Sequence, residues 1–344
     1  MIFRTPSYYK DFRCIADKCK DNCCIGWEID IDNDTAEKYR SVSGDFGQRL
    51  KNNINFGDTS SFILGKNERC PFLNNCNLCD IITELGEDSL CQICSDHPRY
   101  YEWFGSVKEG GIGMCCEESA RIILTQNLPF TVTETHIPDE DSEPFDTEMY
   151  EYLYNMREKF FAVLQNEEIP LGERLKKLLE ISVAEQGITY SAETGTFADI
   201  LQFLRTLEPI SELWHPTLLA AEEKLAEISA RKADFLQENP YISVFLRNIA
   251  VYFLWRYLLK GVFDGDFLSR TVLAVVSVII NAVLWASKWL DNGISPEDCI
   301  EIAKNYSKEI EYNEENLEAF LDGAYDLTAL SMPSIIDILD NFIG

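Results

Sequence analysis

Histidine is almost missing from this 344-residue chain, with three in all. No Ser-His-Asp arrangement and no zinc-protease helix can be assembled from them, which removes the commonest hydrolytic centres. His136 and His215 have no partner at a useful spacing. No glycine-rich loop follows a strand and opens a helix, so a phosphate cradle is not expected. The glycines from Gly105 to Gly113 read as a hairpin turn. Strands and helices do not alternate as they would in a doubly wound nucleotide fold. There is no internal repeat and no low-complexity tract. Basic residues are scarce, 30 against 58 acidic ones, for a formal charge of −28. Such a surface repels phosphates, so no nucleic-acid partner is expected, whereas a lysine-rich protein would be attracted. Met1 to Asp11 mixes polar and aromatic residues with no apolar core or cleavage site, so the expected compartment is the cytoplasm. The one long apolar run, Thr271 to Ala286, falls short of the roughly 20 residues of a bilayer span. It carries Ser277 and Asn281 and reads as a buried core helix, with no membrane partner expected.

What the chain has in abundance is cysteine. Eleven of its twelve cysteines lie between Cys14 and Cys116, and only Cys299 lies elsewhere. In a reducing compartment, clustered cysteines are metal ligands more often than disulfides. The first cluster is Cys14-x4-Cys19-x3-Cys23-Cys24. The second holds Cys70, Cys76, Cys79 and Cys91-x2-Cys94, and Cys115-Cys116 follows. Short spacings deliver pairs of soft donors from one turn of chain, and two pairs make a four-thiolate site. Spacing alone does not separate zinc from an iron–sulfur cluster. Adjacent Cys23 and Cys24 suit a cluster of several metal atoms better than one small ion. The Cys-x3-Cys-x2-Cys signature of radical enzymes that use S-adenosylmethionine is absent. The candidate metal ligands are Cys14, Cys19, Cys23, Cys24, Cys70, Cys79, Cys91 and Cys94. His97 and Arg99 stand beside the last pair as a further ligand or hydrogen-bonding neighbours. Cys299 reads as a lone thiol.

Hydrophobic residues make up 46% of the chain, enough for a sizeable core. Residues 1–121 are irregular: Trp27 to Ile31 alternates like a half-exposed strand, and Tyr100 to Met114 reads as a hairpin turning at Lys108-Glu109-Gly110-Gly111. Ser119 to Leu124 begins a helix. The acidic stretch from Thr133 to Thr147, with two prolines, is the linker candidate. Beyond it the pattern is helical. Met149, Leu153, Met156, Phe160 and Val163 share one face. Pro170 opens a helix that Gly187 follows, and Ser295-Pro296-Glu297-Asp298 is a capped start. Charge divides unevenly, 14 basic against 20 acidic residues up to Arg121 and 16 against 38 after it. The expected fold is mostly α, a small cysteine-rich α+β metal-binding lobe (residues 1–132) followed by an acidic helical lobe (148–344). With few apolar runs, the first lobe is expected to draw much of its folding free energy from metal ligation. Tyr8, Tyr9, Tyr100, Tyr101 and Trp103 are core candidates that could also cage a methylated ammonium.

Cys14-x4-Cys19-x3-Cys23-Cys24-x2-Trp27 resembles the amino-terminal signature of the flagellin lysine-N-methylase family. So do Cys70-Pro71-Phe72-Leu73, Leu78-Cys79-x-Ile81, Leu85-Gly86-Glu87, Leu90-Cys91-x2-Cys94 and His97-Pro98-Arg99. The closing Cys-Pro-Glu-x-Ala-Arg element is met by Cys116, Glu118, Ala120 and Arg121, with Glu117 in place of the proline. The resemblance spans roughly residues 7–125 and extends to a broader class of cysteine-rich zinc- or iron-chelating proteins. It implies methyl transfer from S-adenosylmethionine to lysine amines of flagellin or a similar lysine-rich protein. It also implies an iron–sulfur cluster, of the 4Fe-4S type, with zinc as the alternative. A non-catalytic metal protein, redox-sensing or structural, is the rival reading. Neither catalytic residues nor a cofactor pocket can be named from the residues.

Overall fold

The computed structural model describes residues 1–344 apart from Trp27, Leu128, Asp141, Glu143, Ala192 and Gly344. The fold is mostly α with an α+β part near the start of the chain. Its strands are β1 (Ile2–Pro6), β2 (Asp30–Ile31), β3 (Ile54–Asn55), β4 (Ser60–Phe62), β5 (Arg99–Phe104), β6 (Val107–Ile112) and β7 (Val132–His136). Two compact units divide the chain. One holds Phe12–Tyr100 with Cys116–Glu118, and the other holds Met1–Asp11, Tyr101–Cys115 and Ser119–Gly344. The expected boundary between residues 132 and 148 falls inside the larger unit.

The cysteine-bearing unit is built from short pieces. Helix Asn33–Ser41 starts at Asp32, whose carboxylate accepts the Thr35 N–H, and helix Gly44–Asn52 follows. The sheet β2-β4-β3 is antiparallel throughout. Only Asp30–Ile31 of the expected Trp27–Ile31 strand pairs in it, and Trp27 lies outside the described residues. Ile31, Tyr39, Leu50, Phe62, Phe72 and Ile81 are buried together, with Phe62 and Phe72 edge to face at 5.4 Å. This unit therefore has an apolar core of its own. The sequence hid it because each segment donates one or two side chains, leaving no run to read.

In the larger unit the sheet order is β5-β6-β1-β7, with β1 parallel to β6 and antiparallel to β7. Two corrections follow. Residues 132–136 are strand rather than linker, because β7 zips along β1 from Ile2↔His136 to Pro6↔Val132. The hairpin turns at Gly105-Ser106, where Gly105 has φ +59°, so Lys108 to Gly111 lie within β6. The helices follow their sequence signals. Thr147–Leu164 buries Leu153, Met156 and Phe160, and Leu171–Gln186 runs from Pro170 to a left-handed Gly187. Pro296–Glu311 begins with a capping box between Ser295 and Asp298. The core helix is longer than its apolar run, spanning Leu268–Asn292 over 25 residues. It and Ile242–Asp264 are long and apolar enough to cross a membrane, yet 100% and 83% of their apolar windows are buried within the protein. One buried ion pair crosses from sheet to helix: Glu109 of β6 takes both Nη1 and Nη2 of Arg157 at 2.7 and 2.6 Å. The Arg157 guanidinium also lies 4.3 Å from the centre of the Trp255 ring.

Candidate metal centre

The thiols of the smaller unit are placed by turns rather than by long elements. Cys23 and Cys24 sit on a turn whose end is tied to the segment before Pro71: the Cys70 N–H donates to the Cys24 carbonyl at 2.8 Å, and Ile25 bridges Arg69. Asn74 closes the next loop, its side-chain oxygen accepting the N–H groups of Cys76 and Leu78. Cys79 then stands just before helix Asp80–Leu85, and Cys91 just before Gln92–Asp96 with Cys94 one turn on. Cys70, Cys79, Cys91 and Cys94 all pack on the unit's apolar core.

Six thiols influence one another electrostatically: those of Cys23, Cys24, Cys70, Cys79, Cys91 and Cys94. The Cys24 thiol is raised above its ordinary pKa first by its hydrogen bond to Cys23, then by burial and the neighbouring sulfurs. Cys91 and Cys94 share a hydrogen bond that lowers Cys91 and raises Cys94. Burial pushes Cys70 up to about 11, opposed by the N–H groups of Phe72 and Leu73 bonding to its sulfur. Cys79 is raised by burial against the N–H groups of Ile82 and Ile81. Cys24, Cys70, Cys79 and Cys94 thus resist ionisation while Cys91 is eased toward it, and backbone N–H groups bond to Cys70, Cys79 and Cys91 as they do to metal-bound thiolates. Among the described residues, no three Cys, His, Asp or Glu side chains already converge on one point as a single-ion site. The six thiols are close enough to influence one another without forming a ready single-ion site.

The remaining candidates fall elsewhere. Cys19 neighbours Cys116 and Glu117, and its thiol is pushed up to about 12, chiefly by burial. Its S–H donates to the Asp21 carbonyl at 2.8 Å, and Glu117 also takes the Lys20 N–H. Cys14 is exposed, and its sulfur accepts the Ala16 N–H at 3.4 Å. His97 ends the Cys91–Cys94 turn, before Pro98. The Arg99 guanidinium lies 5.2 Å from the centre of the Phe12 ring. Cys299 is buried beside the Tyr241 hydroxyl, far along the chain from the six.

The larger unit contains polar groups that the sequence reading missed. Buried Glu311 accepts hydrogen bonds from the Tyr252 and Tyr257 hydroxyls, each at 2.9 Å, and from Ser307. Arg256 lies 3.3 Å from the same carboxylate. Tyr252 takes the Met114 N–H at 3.1 Å, and the Cys115 thiol donates to Tyr312. This network fastens the end of the hairpin segment to the helices. The signal was the one-turn spacing of Tyr252, Arg256 and Tyr257 against Ser307 and Glu311, legible only once the two helices are known to face each other. A cavity of about 230 Å³ in the same unit is lined by Ser7, Tyr8, Gln126, Phe130, Thr131 and Asn248 among others.

Comparison with known proteins adds a second line. Residues 194–336 match the model of the FliB lysine N-methylase C-terminal domain. The lysine-N-methylases of Salmonella choleraesuis and Salmonella typhimurium are each 29% identical over 142 residues, 38% of this chain and 35% of theirs. The chain thus spans about a third of the length of those two relatives. The flagellar biosynthetic protein FliU of Salmonella muenchen is 30% identical over 129 residues, 35% of this chain and 75% of that protein. No solved structure matches the chain. The family model falls on the helical part, outside the cysteine motifs that resemble the family.

Proposed function

We propose, for a chain that belongs to the FliB lysine N-methylase family, that it methylates lysine side chains of another protein. The observation that carries this reading is the match over residues 194–336. It lies on helices, apart in sequence from the cysteine motifs that first resembled the family, so two separate stretches support one assignment. The finer proposal is that the methyl donor is S-adenosylmethionine and the acceptor a flagellin or a similar lysine-rich protein. The relatives' flagellar name and the acidity after Arg121 favour that acceptor. In the transfer, the lone pair of a neutral lysine amine attacks the methyl carbon. The carbon–sulfur bond breaks with its electron pair going to sulfur, S-adenosylhomocysteine leaves, and one N–H proton passes to solvent or a nearby base.

For the six neighbouring thiols we propose an iron–sulfur cluster, 4Fe-4S in type, with zinc as the alternative, in a cytoplasmic protein. Cys23, Cys24, Cys70, Cys79, Cys91 and Cys94 are the residues to hold it. Such a cluster takes four thiolates, one on each iron, so these six neighbouring thiols supply more donors than it needs. When bound, the cluster would supply a fixed anionic centre and one-electron chemistry, neither of which a two-electron methyl transfer requires. Its task here is then to organise the unit. A second reading, a non-catalytic metal protein, rests on the six neighbouring thiols of the smaller unit alone.

The test is mass spectrometry of flagellin after incubation with anaerobically purified protein and S-adenosylmethionine. Added methyl mass on lysines is expected. An intact cluster, bound S-adenosylmethionine and unmodified flagellin would reject the flagellin assignment. Failure to bind S-adenosylmethionine at all would reject the methylase and leave the metal protein.

A further inference from the structure

The aromatic residues that sequence marked as a possible cage do form one in part, and it is filled. Tyr101 and Trp103 are two residues apart on β5 and so project from one face of the strand. The Lys108 ammonium, on neighbouring β6, lies 4.6 Å from the centre of the Tyr101 ring and 4.7 Å from that of Trp103. Glu140 completes the enclosure: its carboxylate takes the Lys108 ammonium at 2.9 and 3.0 Å and the Trp103 indole N–H at 2.8 Å. Two π-faces and a carboxylate around one cation are the constellation that receives methylated ammonium groups.

We propose that Tyr101, Trp103 and Glu140 form a binding site for a methylated or quaternary ammonium, and that Lys108 is an internal stand-in which such a ligand displaces. Three observations support this. The enclosure is held by contacts other than Lys108: the indole N–H orients Glu140, while Tyr101 packs on Phe3 at 6.2 Å between centroids and meets the Tyr9 hydroxyl at 3.3 Å. The enclosure reaches solvent on its Glu140 side, where that side chain is 41% exposed, while the Lys108 side chain within it is 14% exposed. The strand bearing both rings is at the edge of its sheet, where an extended lysine-bearing segment can approach. Displacement favours a methylated ligand because methyl groups weaken ammonium hydration, so less water must be removed than for Lys108 itself. If the methylase reading holds, the natural ligand is the reaction's own product, a methylated lysine. The site itself does not depend on that reading.

The test titrates the full chain, without S-adenosylmethionine, with end-blocked trimethyllysine, end-blocked lysine and choline, by calorimetry or saturation-transfer NMR. Wild type is expected to prefer trimethyllysine over lysine. Lys108→Ala should tighten trimethyllysine binding by about tenfold, and adding Trp103→Ala should abolish the gain. Choline binding as tightly as trimethyllysine would assign the site to free quaternary cations, and weaker choline binding to a modified protein side chain. A folded Lys108→Ala protein that binds no better than the double variant overturns the proposal. If Lys108→Ala does not fold, Lys108→Gln removes the charge, keeps most of the stem and carries the same expectation. Because no methyl donor is present, a negative result here is separable from a failed methylation assay.

Discussion

The two compact units are held by opposite means. In the larger one, long helices carry continuous apolar faces, and Leu268–Asn292 is buried over most of its length. In the smaller one, a handful of large side chains from short segments share their interior with thiols. The first kind of core is stable through area alone, at about 25 cal/mol per Å² of apolar surface removed from water. The second combines a modest apolar core with thiols packed against it. The contrast teaches that a cysteine-rich unit need not be a mere wrapping for its metal. On the metal-binding reading proposed above, ligation would add to a core already present, so metal loss should loosen this unit without erasing its secondary structure.

The largest expected effect lies in the thiols themselves. Cys91→Ser should strip bound iron and labile sulfide from anaerobically purified protein, since Cys91 is buried within the six-sulfur group. Cys14→Ser and Cys299→Ser should leave metal content near wild type, because neither belongs to that group. Metal analysis of the three variants decides it, and loss in Cys14→Ser equal to that in Cys91→Ser would break the six-thiol grouping. Hydrogen exchange of the stripped protein should show faster exchange in residues 12–100 with the helices beyond Thr147 unchanged.

Next in size are two substitutions, one in the interior of each unit. Arg157→Met leaves Glu109 buried without its partner and should cost about 3–5 kcal/mol in denaturant unfolding. Leu50→Ala opens a cavity in the smaller unit and should cost about 2–5 kcal/mol there. A negligible cost for Leu50→Ala in metal-loaded protein would mean that ligation supplies much of that unit's folding free energy, as the sequence suggests.

That suggestion shows where sequence reading reaches its limit. The helices were legible because periodicity and caps are local: Leu153, Met156 and Phe160 recur at helical steps, and Ser295 announces its helix three residues before Asp298 answers. The cysteine spacings were legible for the same reason, and six of the eight candidate cysteines are electrostatic neighbours, although among the described residues no three form a ready metal site. The small core was not, because Tyr39, Leu50, Phe62 and Phe72 each look isolated along the chain. Nor was strand β7, whose only reason to be extended is a partner about 130 residues earlier. Glu109–Arg157 and the Glu311 network depend on the same long-range pairings, as does the placing of Lys108 between Tyr101 and Trp103.

The smallest effect offers the sharpest comparison, because the same device occurs in both units. Ser295 caps helix Pro296–Glu311 by accepting the Asp298 N–H at 3.1 Å, and Asp298 returns bonds to the Ser295 N–H and hydroxyl. Ser295→Ala should therefore cost about 0.5–2 kcal/mol and confine its effect to that first turn. Asp32 caps helix Asn33–Ser41 through the Thr35 N–H, but its second oxygen also takes the Gln92 N–H at 2.9 Å. One carboxylate thus ties the first helix to the start of the Cys91–Cys94 turn, sixty residues on. Asp32→Ala should cost at least as much as Ser295→Ala and, unlike it, should loosen a thiol-bearing segment distant in sequence. Amide exchange at Gln92 and Ser95 is the readout. Acceleration there in Asp32→Ala, with no corresponding distant change in Ser295→Ala, is expected if the smaller unit is knit by cross-segment bonds and the larger by helices. Equal, purely local effects in both variants would remove that distinction.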